Sequence, residues 1–269
     1  MRRDAAGRTP PPVRSKGAPG ARQASPRVLA IAAFVVVMIA VGVGLGVAFG
    51  TSSGGNNSTL PQGTPTTGSS TGPAALSGSK EVANLFKGIP QHGLVLGSPF
   101  APAQLTEFID LQCPVCKDFE TTQLPTLVKK YVRTGKLSIK MMPWAIIGPD
   151  SLRGQNATIA ATLQSKGFQF AEMLYVNQAT ENTGWLNNAM VAQAAASVDG
   201  MHVPQLVADE NSSNVQQIVK LVDNYASAHG FNATPTILLA KKGKKPQVVS
   251  QGLPTLSTLE SQIQAAAGG

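Results

Sequence analysis

The chain has 269 residues, 42% of them hydrophobic, and a formal net charge of +8. That is long enough, and apolar enough, for one or two domains with a packed core. The positive excess is local: Arg2, Arg3, Arg8, Arg14, Lys16, Arg22 and Arg27 oppose only Asp4, so the rest of the chain is nearly neutral and its charge gives no ground for a nucleic-acid partner.

From the N-terminus, residues 1–27 read as a basic cytoplasmic tail. Val28 to Phe49 contains no charged residue, and as a helix rising ~1.5 Å per residue it spans ~33 Å, enough to cross a bilayer. The positive residues precede it and none immediately follows, which places the tail inside and everything beyond residue 49 outside. A cleaved signal peptide is the alternative, since Ala48-Phe49-Gly50 is a small-x-small site. The apolar run is longer than the ~7–15 residues of a signal's apolar region, so an uncleaved 28–49 transmembrane anchor is expected. Residues 50–79 are Ser, Thr, Gly, Asn and Pro with almost nothing apolar, a composition that cannot offset its ordering entropy and reads as a disordered linker.

A folded domain is expected over 80–269. Gly93 to Gly97 predicts a short strand, and Leu105 to Leu111 a central one that contains Glu107. Pro114 to about Arg133 is helical, with Pro125 expected to kink it. Leu137 to Met142 predicts a strand ended by Pro143. Residues 150–229 read as a helical insertion: segments Ser151–Lys166, Phe168–Gln178, Leu186–Val198 and Val203–Asp209, then a helix from a Ser212 or Ser213 cap through Ala226, with Gly230 beyond its end. Thr236 to Ala240 and Gln247 to Ser250 form a hairpin around the basic turn at 241–245, and a last helix carries Leu256, Leu259 and Ile263.

Both cysteines lie in Leu105-Thr-Glu-Phe-Ile-Asp-Leu-Gln-Cys-Pro-Val-Cys-Lys-Asp-Phe-Glu120. Strand, Cys-x-x-Cys, then helix is the layout of a thiol–disulfide active site, because a helix N-terminus favours the thiolate of the first cysteine. A structural disulfide and half of a zinc site are the other readings. A bond closing so short a loop removes little chain entropy, and zinc needs about four ligands, for which His92, His202 and His229 are scattered candidates. Those histidines read as surface or cap residues, and no metal is expected. Asp110 is expected to face solvent or a turn. Trp144 and Phe168 fit either a groove or the core.

Thr106 to Phe119 resembles the active-site segment of the DsbA-like thioredoxin-fold oxidoreductases, and Gly230-Phe-Asn-Ala-Thr-Pro-Thr236 is similar to that family's cis-proline loop. Ile147-Gly-Pro149, Phe168-x-Phe170 and Leu174-Tyr175 resemble its helical subdomain. The resemblance implies an α/β thioredoxin fold, a mixed sheet flanked by helices with an inserted all-helical subdomain, from about Gly93 to the C-terminus. It implies Cys113 as the partly exposed nucleophile and Cys116 as the buried resolving thiol. Glu107 is implied as a buried acid exchanging the Cys116 proton. A cis Pro235 is implied beside the sulfurs, with Thr234 free to pair with an extended substrate. Pro114 and Val115 complete the substrate-facing dipeptide. They bring no charge where the best-known member has a histidine, so the thiolate is expected to depend on the helix end alone.

The resulting expectation is a membrane-tethered, extracytoplasmic oxidoreductase that donates its Cys113–Cys116 disulfide to reduced secreted proteins and is re-oxidised by a DsbB or VKOR-like membrane partner. No cofactor beyond the redox-active disulfide is expected. A reductase or isomerase of the same fold, and a non-catalytic module binding a metal or a partner, are the alternatives.

Overall fold

A computed structural model describes residues 74–268. The expected tail, the 28–49 anchor and nearly all of the linker lie outside the described residues. Among the described residues no helix is long and apolar enough to cross a membrane.

The domain opens with a helix the sequence reading left out, α1 (Ser79–Phe86), which buries Val82, Leu85 and Phe86. It is two turns long and follows low-complexity chain, so its periodicity is short. The predicted Gly93–Gly97 strand is instead a small hairpin, β1 (Gln91–His92) and β2 (Val95–Leu96). Then come the central strands β3 (Ala103–Ile109) and β4 (Leu137–Pro143). β4 extends one residue past the expected end: Pro143 still pairs in register with Ile109, and the next residue, Trp144, donates its N–H to the Ile109 carbonyl at 2.7 Å. β5 (Thr236–Lys241) and β6 (Gln247–Gln251) complete a six-stranded mixed sheet in the order β1-β2-β4-β3-β5-β6. Only β3 and β4 run parallel, and the helical segment between them supplies the crossover that parallel neighbours need.

That connection is one continuous helical run in four pieces: α2 (Pro114–Asp118), a π turn (Phe119–Gln123), α3 (Leu124–Leu127) and a second π turn (Val128–Val132). Pro125 has no N–H to continue the usual ladder. The backbone widens just before it, where Leu124 N–H bonds the Phe119 carbonyl five residues back. The expected kink therefore takes the form of π turns.

The insertion holds α4 (Pro149–Leu163), α5 (Gly167–Val176), α6 (Asn188–Ala196), α7 (Val203–Asp209) and α8 (Ser213–Ala228); α9 (Leu256–Ala267) closes the chain. Polar caps set several of their starts. Asn187, Ser212 and Thr255 accept the N–H three residues on, and so does the His202 ring, in keeping with its reading as a cap.

Strand alternation sorts the core. Leu105 and Ile109 pack with Cys116, Phe119, Leu124 and Ile263 in the main cluster. On the opposite face Phe108, Met142 and Leu238 pack with Val222, Ala226 and Phe231. Glu107, two residues from both Leu105 and Ile109, shares the face that carries Cys116.

Candidate active site

Cys113 is the N-cap of α2, with an extended backbone (φ −69°, ψ 120°), and Pro114 takes the first helical position, where no N–H is needed. Its own N–H donates to the Asp110 carbonyl and its carbonyl accepts the Lys117 N–H, both at 3.0 Å. The Cys116 N–H donates to Cys113 Sγ at 3.4 Å. Pro114 and Val115 are exposed while Cys113 is 6% exposed and Cys116 fully buried. The first sulfur is thus more enclosed than the expected partly exposed position, because the loop before β5 folds against it. Cys113 Sγ lies 3.4 Å from the Thr234 carbonyl oxygen, and the Thr234–Pro235 peptide is cis. Both thiols are free.

Several groups set the proton affinity of Cys113, not the helix end alone. A hydrogen bond from the Cys116 thiol lowers it most, burial opposes, and the Thr234 hydroxyl and the N–H groups of Cys116 and Val115 lower it further, to about 6. Burial, then the hydrogen bond and charge of Cys113, push Cys116 well up. One thiolate and one thiol are the working state of such a pair: the outer sulfur attacks and leaves, the inner one holds its proton until it is needed.

The turn before the helix is held by Asp110 and by polar side chains to which the sequence assigned no role. Asp110 is 1% exposed: of the two positions expected for it, solvent or a turn, it takes the turn. One carboxylate oxygen accepts the Gln112 N–H at 2.9 Å, and the other accepts those of Ile146 and Ile147 at 2.8 and 3.0 Å. A strand-end aspartate reads as solvent-facing until the loop after β4 supplies the donors. From the insertion, Tyr175 Oη donates to the Asp110 carbonyl at 3.0 Å, and the Gln178 amide donates to the carbonyls of Leu111 and Cys113. The Gln112 amide donates to Ser151 and Asn182 and accepts the Asn182 N–H. The helical subdomain therefore clamps the Cys-x-x-Cys turn through polar side chains.

Glu107 is fully buried, and neither of its carboxyl oxygens has a partner. In register beside it stand Met141 on β4 and Ile237 on β5, so neither neighbouring strand supplies a cation. Burial, then the charge of Glu172, raises its pKa to about 8. Two more carboxyls lie close by, buried and unassigned by sequence: Glu120 on the first π turn and Glu172 on α5. Both carried a legible signal. Glu120 follows Cys116 by one helical turn on the same face, and Glu172 is the one charged residue of α5.

The aromatic candidates divide. Phe168 is buried against Phe86 at 6.1 Å between ring centroids, so it belongs to the core. Trp144 is partly exposed and packs edge-on against Phe108 at 6.3 Å. His229 stacks on Tyr225 at 4.0 Å.

A sheet with a Cys-x-x-Cys at a helix N-terminus and a cis-proline loop against it defines a thioredoxin-fold protein with a helical insertion. The family model described as Thioredoxin matches residues 90–263, and the chain belongs to that family. Over 148 residues it is 28% identical to "Probable disulfide bond formation protein D" of Bacillus cereus, spanning 53% of this chain and 67% of that protein. The Bacillus anthracis protein of the same name is 25% identical over 145 residues, with the same shares. Two solved structures share the fold. The oxidised BdbD of Bacillus subtilis superposes with TM-score 0.59 at 20% identity, covering 67% of this chain and 98% of that one. The DsbA of Chlamydia trachomatis gives 0.56 at 21% identity, covering 64% and 90%. The arrangement is that of DsbA-like thiol–disulfide oxidoreductases, and thiol–disulfide exchange is the chemistry of its cysteine pair.

Proposed function

We propose that the protein works as a disulfide donor outside the cytoplasm, tethered by the 28–49 segment. A substrate thiolate attacks Cys113 Sγ of the Cys113–Cys116 disulfide, forming a mixed disulfide and releasing Cys116, which takes up a proton. A second substrate thiolate then attacks the substrate sulfur and expels Cys113 as its thiolate. The substrate loses two electrons and the pair gains them, so turnover requires re-oxidation, for which a membrane partner of the DsbB or VKOR-like kind is the fitting class. The buried pair holds no other cofactor in this scheme.

The observation that carries the direction is the stabilisation of the reduced state. A Cys113 thiol lowered to about 6 makes Cys113 a good leaving group and its disulfide the more oxidising. Substrate chains fit beside Thr234, whose backbone flanks the sulfur, with Pro114 and Val115 exposed on the other side. The names of the Bacillus relatives, disulfide bond formation proteins, agree with this direction. The uncharged 28–49 run and the basic residues before it support the location.

Equilibrating the full chain with glutathione redox buffers tests the direction. A potential among the donors, roughly −120 to −200 mV, is expected, and one at or below the thioredoxin value of about −270 mV overturns it in favour of a reductase. Reducing intact cells with a membrane-impermeant phosphine and then labelling them with a membrane-impermeant maleimide tests the location: Cys113 should react, and a Cys113 that labels only when the cells are lysed before the reduction would place the domain inside.

A further inference from the structure

Cys116 is fully buried, yet it gains or loses a proton in every exchange. Once a substrate is bonded to Cys113, its chain covers the mouth of the site, and the proton needs another way through. Cys116 and Glu120 stand one turn apart on the same helical face, and Glu107 lies on the sheet face beneath them. Glu107 is wholly inaccessible and Glu120 nearly so, whereas Glu172 is 5% exposed and lines a groove of about 450 Å³ between α1 and the π turns. That groove is bordered by Glu81, Thr121, Lys129, Arg133 and Val176, and by no residue of the Cys113 or Thr234–Pro235 segments.

The three carboxyls hold oxygens without hydrogen-bond partners: both of Glu107, one of Glu120 and one of Glu172. Neither ion pair among the described residues involves them. The nearest guanidinium on the groove, Arg133, is committed to the carbonyls of Asn84, Leu85 and Lys87 at the end of α1. Among the described residues no three acidic, histidine or cysteine side chains are grouped so as to hold a metal ion. Unpaired, uncaged carboxyls that sense one another's charge are suited to carrying protons.

We propose that Glu172 is the outer member of a buried carboxyl relay, passing the Cys116 proton between Glu107 and Glu120 on the inside and the groove between α1 and α5 on the outside. Glu172 transfers protons at a distance from the sulfurs and is a positioning residue for them. The inference rests on thiol–disulfide exchange and holds for either direction of it. When Cys116 attacks a mixed disulfide, its proton passes to the Glu107–Glu120 pair as its sulfur bonds Cys113. The departing thiolate takes a proton from solvent, and Glu172 discharges one into the groove. When a substrate opens the Cys113–Cys116 bond, the transfers run in reverse.

The affinities fit the task. Burial holds Glu172 at about 8, matching Glu107, and Glu120 is raised by burial and then by Glu107 and Glu172. The groups facing Glu172 are Glu107 from β3 and Glu120 from the first π turn, then Glu81 from α1, Lys129 from the second π turn and Arg133 just past its end. Tyr175 on the same helix, kept protonated by burial and by Cys116, is committed to the Asp110 carbonyl. Carboxyls matched near working pH can give and take with little bias.

The test uses the full chain with Cys113 joined to glutathione, following glutathione release by Cys116 from pH 5 to 9 in H2O and D2O. Glu172→Gln should slow release by about tenfold or more, remove the inflection near 8 and leave the Cys113 alkylation profile in place. Glu172→Ala should be slow as well and regain rate with added formate, which enters from the groove. Release at the wild-type rate and pH profile in Glu172→Gln overturns the relay, as does a slow Glu172→Ala that formate leaves unchanged. If the wild-type chain itself fails to release glutathione, thiol–disulfide exchange is what falls. Wild-type release with an unaltered Glu172→Gln removes the relay alone.

Discussion

Cys113 Sγ and the carbonyl oxygen of Thr234 lie 3.4 Å apart although 121 positions separate them in the chain. The contact ties the active-site helix to the loop before β5 and puts the Thr234 hydroxyl among the groups that stabilise the thiolate. The pH profile of Cys113 alkylation should have its midpoint near 6. Cys116→Ala removes the largest stabilising influence and should move that midpoint up further than Thr234→Val. A neutral hydrogen bond worth ~1 kcal/mol corresponds to somewhat less than one pKa unit, so the Thr234→Val shift should be about that size. A Thr234→Val midpoint identical to wild type would mean that the hydroxyl plays no part.

Asp110 carries three N–H groups on one buried carboxylate, from Gln112, Ile146 and Ile147. Asp110→Ala leaves those donors without an acceptor, and each buried unpaired group costs ~1–3 kcal/mol. The expected loss in urea unfolding is about 3 kcal/mol or more, with slower exchange because the Cys113 turn and the loop after β4 lose their common anchor. Asp110→Asn keeps one acceptor oxygen and should lose less. Equal losses in the two variants would show that the charge, not the count of acceptors, is what matters.

The parts of the site that were legible in the chain are those whose physics is local. Strand, Cys-x-x-Cys and helix are contiguous, so Cys113 at a helix start and Cys116 one turn on follow from spacing. Thr234 and Pro235 come from far along the chain and were placed only through family resemblance. The local turn at Asp110 was legible, but its burial was not, because that depends on the Ile146 and Ile147 N–H groups 36 and 37 positions on; Gln112 and Gln178 were not legible, because their side chains bond groups dozens of residues away. The apolar periodicity that located α5 passed over Glu172 for the opposite reason: it marks which face is buried and is blind to a lone acid on that face. Short α1 and the β1–β2 hairpin were misjudged because so few residues carry no period.

Glu107 links the buried acid to pH-dependent stability. Its carboxyl titrates near 4.5 when free and near 8 in the folded protein, so between those values the folded state holds a proton that the unfolded state has released. Stability from this group is complete below about 4.5 and is lost as pH rises through about 8. Glu120 and Glu172, also raised, act in the same direction. The reduced protein should therefore lose thermal stability between pH 5 and 9. Glu107→Gln cannot ionise, so it should flatten that decline and raise the alkaline end. A gain on the order of 1 kcal/mol at pH 9 appears as about 2–4 °C in Tm for a domain of this size. Below pH 5 the variant should gain nothing, since wild-type Glu107 is already neutral there. Melting curves across that range decide the matter: a wild-type Tm that climbs from pH 5 to 9, or a Glu107→Gln curve parallel to it, would show that the carboxyl is ionised inside the fold and has a partner that stabilises its charge.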